Sequence, residues 1–547
     1  MSFLPSDEEA RRRARHDHPA SLVLQAGAGT GKTTLLVDRI ESLVRTGAAT
    51  LLEIAAVTFT ENAAATMKLR LRERLERLRA DAVITSEERE RAAAALEVLE
   101  RAQVSTIHAL CTTILQERPI ECRVVPGFRV ADETETDAIF AGAWDEWLAE
   151  RLEAGDAALS DAIRAEIPME SASEWGDRGS LRGLARTLLE ERDLAPIVSE
   201  AVPDPEAWRA ELQQQADRAR ELIRGAKAGD SLVPQLESLL SFAEHARDLK
   251  GGELARGLAA IPKLRSNLGR RTHWAVEALA EARRIAFWTG EARTAWSMAL
   301  GSHLHARLVR SLLGVLQRYE RRKKDLGVLD FLDLLLKARD ALRDNESVRR
   351  HFAARFRFLI IDEFQDTDPL QVEIAQLLSG GEPGRLVVVG DAKQSIYRFR
   401  RAEVALLRRL SEEASRRPGH AVLHLTQNFR SRPAILRFVN RVFGTLIQAS
   451  PEGDQPAYEP IDPPPDLTDV PAVLQLRFDA PEFVDARNEL LAAEAGALSA
   501  FARRAADGGF EIRDPATGAP RPSRAGDLMV LAPRLTQIRP LEEALAE

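Results

Sequence analysis

Short apolar runs and long amphipathic stretches divide this chain into distinct territories. Leu22-Val23-Leu24, Ile54-Ala55-Ala56-Val57, Phe358-Leu359-Ile360-Ile361 and Leu386-Val387-Val388-Val389 are continuous and apolar, the pattern of strands buried on both faces of a parallel sheet. Each ends in glycine, hydroxyl or acidic residues, and helical periods follow the runs, which predicts an α/β fold. Residues 101–115 hold another junction, where a strand is expected to turn into a helix. Ahead of the first run, residues 5–17 read as a helix with Ser6 or Asp7 as N-cap and Glu8 and Glu9 in its first turn. From about 126 to 311 the character changes to Ala, Leu, Glu and Arg in long helical periods, broken at Gly155, Pro168, Pro203-Asp204-Pro205, Gly251-Gly252 and Pro262. An all-helical insertion without internal repeat is expected there, splitting a first lobe into residues 1–125 and 312–420. Residues 421–547 are expected to start a second lobe, with a helix reaching Phe443, a proline-rich linker or surface loop over 451–471, and a strand at Leu528-Met529-Val530-Leu531.

Composition narrows the class. At 547 residues the chain exceeds what one hydrophobic core organises. Its 45% apolar content is ordinary for a globular protein, and no run approaches the ~20 apolar residues of a membrane span. Residues 1–20 are charged and lack the apolar centre of a signal peptide, so the cytoplasm is the expected compartment and no membrane is an expected partner. A formal net charge of −8 argues against a generally basic nucleic-acid coat but leaves room for a local basic channel. Cys111 and Cys122 match no metal-ligand spacing and read as reduced core thiols. All seven tryptophans fall inside the helical stretch, where their spacing reads as core anchoring.

Candidate chemistry gathers where the apolar runs end. Ala26, Gly27, Ala28, Gly29, Thr30, Gly31, Lys32 and Thr33 fit a phosphate-binding loop, with Ala26 where a first glycine is usual. The glycines let successive N–H groups point inward, and the helix that starts there adds the positive end of its dipole. Lys32 can reach the outer phosphates, Thr33 can ligate magnesium, and Thr34 follows in the same turn. A plain glycine-rich turn is the alternative, but it leaves the Lys-Thr pair as coincidence. Thr58, Phe59 and Thr60 close the second run, where Phe59 is either a stacking platform for a base or part of the core. Ser105, Thr106 and His108 suit phosphate or sugar contacts, although His108 alone fits a helix-start hydrogen bonder better. Asp362 and Glu363 follow four apolar residues; two adjacent acids there suit a magnesium ligand and a base that polarises water.

In order, AGAGTGKT, AVTFTENAAATM, STIHAL, LIIDEFQDTDPLQ, VVVGDAKQSIYRFRRAEV and LTQNFRSRPAILRFVN resemble the first six conserved blocks of the UvrD/RecB family of superfamily I DNA helicases. The resemblance covers residues 21–440 apart from most of the helical stretch. DEFQDTDPLQ and GDAKQSIYRFR look more like the RecB and AddA helicase-nuclease branch than like the simple repair helicases. The resemblance implies a RecA-like P-loop motor lobe with a parallel sheet, a helical insertion, and the start of a second RecA-like lobe. It implies Lys32 and Thr33 on phosphates and magnesium, Asp362 on magnesium, Glu363 as catalytic base and Gln394 as γ-phosphate sensor. Phe429 is implied beside adenine and Arg430 as an arginine finger. Thr58, Phe59, Thr60, Ser105, Thr106, His108, Tyr397, Phe399 and Arg400 are the implied DNA contacts, with Phe399 stacking on single-stranded DNA. ATP and Mg2+ are the implied ligands. Single-stranded and duplex DNA, with a nuclease or helicase partner subunit, are the implied partners, in the bacterial cytoplasm or nucleoid. Three-prime to five-prime unwinding in repair and recombination is the implied activity.

Three features depart from the family pattern. Asn62 stands where relatives often have lysine, Glu8 and Glu9 stand near where a glutamine reads adenine, and the last motor blocks with a second arginine are absent. The 547 residues therefore read as the N-terminal part of a longer protein, expected alone to bind ATP and magnesium with little DNA-stimulated hydrolysis and no unwinding. A non-hydrolysing DNA-binding or assembly subunit is the competing class, against which the set Lys32, Asp362, Glu363, Gln394 and Arg430 speaks. A P-loop enzyme with a small-molecule substrate leaves the aromatic residues at strand ends unexplained.

Overall fold

The computed structural model describes residues 4–170, 179–194, 202–450, 455–464, 473–475, 487–514, 519–534 and 538–546. Its strands are β1 Ser21–Ala26, β2 Ile54–Thr58, β3 Gln103–Thr106, β4 Arg129–Val130, β5 Val328–Leu329, β6 Phe358–Ile361, β7 Leu386–Gly390, β8 His420–Leu425, β9 Glu511–Arg513 and β10 Pro520–Pro522. The first helices are α1 Glu8–His16, α2 Lys32–Thr46, α3 Glu61–Ala80, α4 Ser86–Val98 and α5 Ile107–Glu117. Next come α6 Glu133–Glu153, α7 Ala157–Arg164, α8 Leu181–Glu190, α9 Pro205–Arg224, α10 Val233–Asp248, α11 Gly251–Leu258 and α12 Val276–Leu326. The last are α13 Phe331–Asp344, α14 Glu346–Arg355, α15 Pro369–Ser379, α16 Val404–Arg416, α17 Pro433–Leu446, α18 Arg487–Ala506 and α19 Ile538–Ala546. Two compact units divide them: Arg12–Gln25 with Thr33–Leu423, and Met1–Arg11 with Ala26–Lys32 and His424–Glu547.

The larger unit is organised by a six-stranded sheet in the order β3-β2-β6-β7-β1-β8. The four pairings from β3 to β1 are all parallel, with Val57 opposite Ile361 and Leu24 opposite Val389. Parallel strands need crossovers that cover both faces, which is why the runs are apolar throughout instead of alternating. Leu110 and Ile114 of α5, Leu334 and Ala338 of α13 and Ile374 and Leu378 of α15 pack with Leu359 and Val388 in one buried cluster. Each such large side chain contributes roughly 1.5–3 kcal/mol by leaving water. The shared strand direction brings the carboxyl ends of β2, β3, β6 and β7 to one edge, where open α/β sheets bind their ligands. Cys111 and Cys122 are free and buried, as expected, and burial raises both thiols, Cys122 to about 11.

Several boundaries differ from the sequence reading. A second lobe is expected from 421; the compact units divide within β8, between Leu423 and His424. The helical insertion was bounded at 311, yet α12 runs unbroken for 51 residues across that point and stops at Gly327, a left-handed cap at φ 65. No proline interrupts this stretch, so nothing in the backbone forces an end before that glycine. Within α12, Gly314 is where Trp147 packs: a Cβ there would lie 3.0 Å from the indole. Trp144, Trp147, Trp274 and Trp296 are buried, and Trp208 and Trp288 pack against the same clusters. Trp175 lies outside the described residues.

In the smaller unit, α17, α18 and α19 accompany an antiparallel β9–β10 hairpin. The expected strand at Leu528-Met529-Val530-Leu531 is not one. No strand pairs with it among the described residues, and Met529 and Leu531 are 81% and 85% exposed. Part of the expected proline-rich loop is described, and it is anchored: Ile461 is buried, and the Asp462 carboxylate accepts from Thr426 Oγ1 at 2.6 Å and from Ser6 Oγ at 2.8 Å.

Candidate functional site

The glycine-rich loop leaves β1 at Ala26 and enters α2 at Lys32. Gly29 and Gly31 take φ 74 and 82, a region open to glycine and strained for other residues. Buried Thr30 closes the turn by donating its hydroxyl to Gly27 O at 2.8 Å. In the same compact unit, Asn428 donates Nδ2 to Ala28 O at 2.7 Å, and Phe429 N donates to Gly29 O at 2.9 Å. A Cβ at Gly29 would come within 2.5 Å of Asn428 Nδ2, so a glycine is required there twice over. Asn428 Oδ1 accepts from Arg430 N at 2.7 Å and Ser431 N at 2.8 Å, fixing the backbone that carries the exposed Arg430 side chain.

Phe429 is 51% exposed, and the Arg11 guanidinium lies 4.8 Å from its ring centre. Arg11 is itself held, donating to both Asp7 oxygens at 2.6 and 2.9 Å and to Gln427 O at 3.2 Å. The sequence marks Asp7 only as a helix cap, and it does not single out Arg11, Gln427, Asn428 or Asp462. Gln427 and Asn428, each 2% exposed, are adjacent amides at a strand end. That pairing was the available signal, because buried amides must find partners.

Lys32 and Thr33 open α2, half-buried, and Thr34 is exposed in the same turn. At the end of β6, Asp362 is buried with its N–H on Val57 O, and Glu363 takes the left-handed conformation at φ 51. A glutamate there is uncommon and costs on the order of 1 kcal/mol, a strain found preferentially at functional sites. Gln365 donates Nε2 to Glu363 Oε2 at 2.8 Å while its Oε1 accepts from Asp391 N at 2.9 Å. Asp391 Oδ2 in turn accepts from Gln394 Nε2 at 2.7 Å. A chain of hydrogen bonds thus joins Glu363 to Gln394 through Gln365 and Asp391, two residues to which the sequence reading gave no role. A Cβ at Gly390 would lie 2.9 Å from Gln365 Oε1, so glycine at the end of β7 lets the two segments meet.

The same sheet edge carries an aromatic group. Phe59 and Tyr397 have ring centres 4.9 Å apart, and Tyr397 and Phe399 5.8 Å, with Phe399 77% exposed. Ser105 stays half-buried beside Gln103. Two of the implied DNA contacts, Thr58 and Thr106, are buried, with their hydroxyls on Thr60 O and the Glu61 carboxylate. Both secure strand ends, and Thr60 and Thr106 cap α3 and α5. Burial lowers the pKa of His108 against a smaller opposing pull from Glu61, which keeps the ring neutral. His108 meets Phe331 edge-on at 5.5 Å, and Phe331 is a 57% exposed aromatic that the sequence reading passed over because it opens a helix instead of ending a strand. Arg400 lies in the short turn Arg398–Arg400 beside this group.

Taken by itself, the turn from Gly27 to Gly31 is a cradle suited to an anion, and in the larger unit Thr33 and Asp362 carry hard oxygen donors of the kind magnesium takes. The chain is 28% identical to an ATP-dependent helicase/nuclease subunit of Syntrophomonas wolfei subsp. wolfei over 82% of this chain and 38% of that protein. It is 26% identical to the protein of the same name from Listeria monocytogenes serotype 4b over 96% of this chain and 47% of that one. It is 29% identical to the one from Moorella thermoacetica over 80% and 34%. It thus spans less than half the length of these relatives. The family model described as the UvrD/REP helicase N-terminal domain matches residues 6–415, through both strand-end groups and the helical stretch between them, and the chain belongs to that family.

Proposed function

We propose that this chain is the motor portion of an ATP-dependent DNA helicase or translocase, working three-prime to five-prime in DNA repair and recombination within a helicase-nuclease. The observation that carries the reading is the hydrogen-bonded chain from Glu363 through Gln365 and Asp391 to Gln394, in the loop that also presents Tyr397 and Phe399. An acid placed to activate water is thereby wired to an aromatic surface suited to stacked bases, the coupling that a DNA-driven NTPase requires.

In this reading Lys32 and the loop amides hold the phosphates, and Thr33 and Asp362 hold magnesium, whose charge offsets that of the phosphate oxygens. Glu363 polarises the attacking water, Gln394 senses the terminal phosphate, and Arg430 stabilises the charge of the transition state. Phe429 and Arg11 flank the base. Phe59, Tyr397 and Phe399 grip one strand without reading sequence, with Arg400 and Ser105 on its phosphates. Residues 126–326 are the insertion of the first lobe, and residues 426–547 begin the second. The relatives' name describes one chain of a larger assembly, which supports a second protein as partner and the bacterial cytoplasm or nucleoid as the place of action.

Measuring ATP hydrolysis with and without single-stranded DNA tests the proposal. Stimulation by the single strand is expected when the assay uses the complete helicase-nuclease that contains this chain. A rate indifferent to DNA would refute it, and displacement from duplexes tailed at one end or the other settles polarity.

A further inference from the structure

Arg192 and Asp193, adjacent residues just past α8, tie into two different parts of the fold. Arg192 donates to both Asp330 oxygens at 2.6 and 2.8 Å and to Asp333 Oδ1 at 2.9 Å. Lys323 and Tyr319 of α12 donate to the same Asp330 at 3.0 and 2.9 Å. Asp330 and Asp333 form the capping box of α13, so Arg192 is moored to two helices at once. Asp193 faces the sheet edge instead, accepting from Arg401 Nη1 and Nη2 at 2.7 and 2.5 Å with its side chain 6% exposed. Arg401 ends the turn Arg398–Arg400 in the left-handed conformation at φ 68, two residues beyond Phe399. Burial pushes the Asp193 carboxyl up, and the hydrogen bonds and charge of Arg401 outweigh it and hold the carboxyl below its ordinary range.

An arginine in a left-handed turn is uncommon, and glycine is the usual residue there. A bidentate, largely dry ion pair supplies a reason for it, because two parallel charged bonds fix the guanidinium in direction as well as position. The connection crosses 208 residues, joining the helical insertion to the loop that carries Tyr397 and Phe399. We propose that Asp193 and Arg401 are positioning residues for single-stranded DNA: a latch through which the helical insertion holds the aromatic loop in its base-stacking geometry. The proposal rests on the reading of Phe399 as a stacking surface.

The test uses the full-length protein with Asp193→Asn, Arg401→Gly and the conservative Asp193→Glu. Glycine keeps the left-handed turn available, so Arg401→Gly removes the bridge without forcing the backbone. The first readout is amide hydrogen exchange over residues 397–402 without DNA, expected to rise several-fold in the Asn and Gly variants and to stay near wild type in Asp193→Glu. The second is the oligothymidylate concentration that half-saturates ATPase stimulation, expected to rise about 2- to 30-fold, the range over which residues linking distant sites act. Unchanged KM for ATP without DNA in the same variants separates this from general misfolding. Exchange unchanged in both bridge-breaking variants overturns the latch, and so does raised exchange with an unchanged DNA requirement. A wild-type ATPase indifferent to oligothymidylate refutes the DNA reading itself; exchange still reports whether the bridge holds the loop.

Discussion

At the carboxyl edge of the sheet, Glu363 and the amide that holds it lie close in sequence to their partners: Gln365 and Asp391 meet across 26 residues, and Gln365 reaches Glu363 across two. In the helical insertion partners lie far apart: Trp147 Nε1 donates to Ser311 O across 164 residues, and Arg192 reaches Asp330, just beyond the insertion, across 138. The edge sets left-handed Glu363 near Phe399, which is left in solvent, while the insertion buries Trp144, Trp147 and Trp296 and pairs the charges of Arg192 and Lys323. The edge gathers its polar groups beside a surface open to solvent, and the insertion uses its long-range pairs to join helices. Substitutions at the edge should therefore change chemistry with little loss of stability, and substitutions in the insertion should do the reverse.

Glu363→Gln should break the comparison most visibly if it is wrong. The amide keeps size and hydrogen-bonding reach but cannot take a proton, so turnover should fall about 10²- to 10⁴-fold. Nucleotide affinity and thermal stability should be unchanged, as checked by titration with a fluorescent ATP analogue and by calorimetry. Near-normal turnover would remove Glu363 from the role of base.

Trp147→Ala is the counterpart in the insertion. The indole is fully buried against Trp144 and Gly314. Truncation should cost roughly 3–5 kcal/mol of stability, read as a shifted unfolding transition. ATP affinity measured well below that transition should stay close to wild type. Equal losses in both properties would mean that the two regions stand or fall together.

Phe399→Ala lies between these extremes in kind and below them in size. Loss of one exposed stacking ring should weaken single-strand binding by about 1–3 kcal/mol and leave the unfolding transition where it was. A destabilised protein with unaltered DNA affinity would assign the ring to the fold.

The same contrast explains what could be read from the sequence. The phosphate loop, the ends of β2, β3, β6 and β7, and the Tyr397 to Phe399 segment were legible because an apolar run delivers its polar end residues to one sheet edge whatever the rest of the chain does. Gln365 and Asn428 were missed although they stand inside recognisable blocks, because an amide's value lies in which two groups it bridges, and spacing does not reveal that. The Arg192–Asp330 and Asp193–Arg401 pairs were beyond reach for a stronger reason: helical periodicity marks which face is buried but not which distant helix will meet it. The strand expected at Leu528-Met529-Val530-Leu531 shows the opposite error. The apolar run suits a strand, but a strand needs a neighbour, and none among the described residues pairs with it.

The smallest expected effect is one of pH. Burial pushes the Asp330 carboxyl up, but the opposing charges of Arg192 and Lys323 prevail and hold it down at about 2. Asp193 and Asp230 are also held below their ordinary range, against the same burial effect, by Arg401 in one case and by Trp274 and backbone N–H groups in the other. A carboxyl with a depressed folded pKa contributes stability that is present above its ordinary value near 4 and lost as pH falls through the folded value. Asp330 alone should account for on the order of 2 kcal/mol between about pH 4 and pH 2. On the sheet side, burial raises the Asp368 carboxyl, so acid relieves that site instead of weakening it. Glu53 is lowered as well, but it lies at the surface beside Arg357, where solvent screens the pair. His16, His18 and His108, in the sheet lobe, are lowered chiefly by burial, so acid costs stability there first as pH falls through about 6.5, and the Asp330 contribution, where α12 meets the sheet-packing helix α13, is lost only between about pH 4 and pH 2. All seven tryptophans lie between positions 144 and 296, so their emission reports on the insertion alone, while far-ultraviolet circular dichroism reports on the whole chain. Titrated from pH 7 downward, circular dichroism should begin to change first and the emission should follow below about pH 4, with Asp330→Asn shrinking that later step. Tryptophan emission shifting ahead of circular dichroism would show that the insertion is the acid-sensitive region and that the buried imidazoles of the sheet lobe do not set the order.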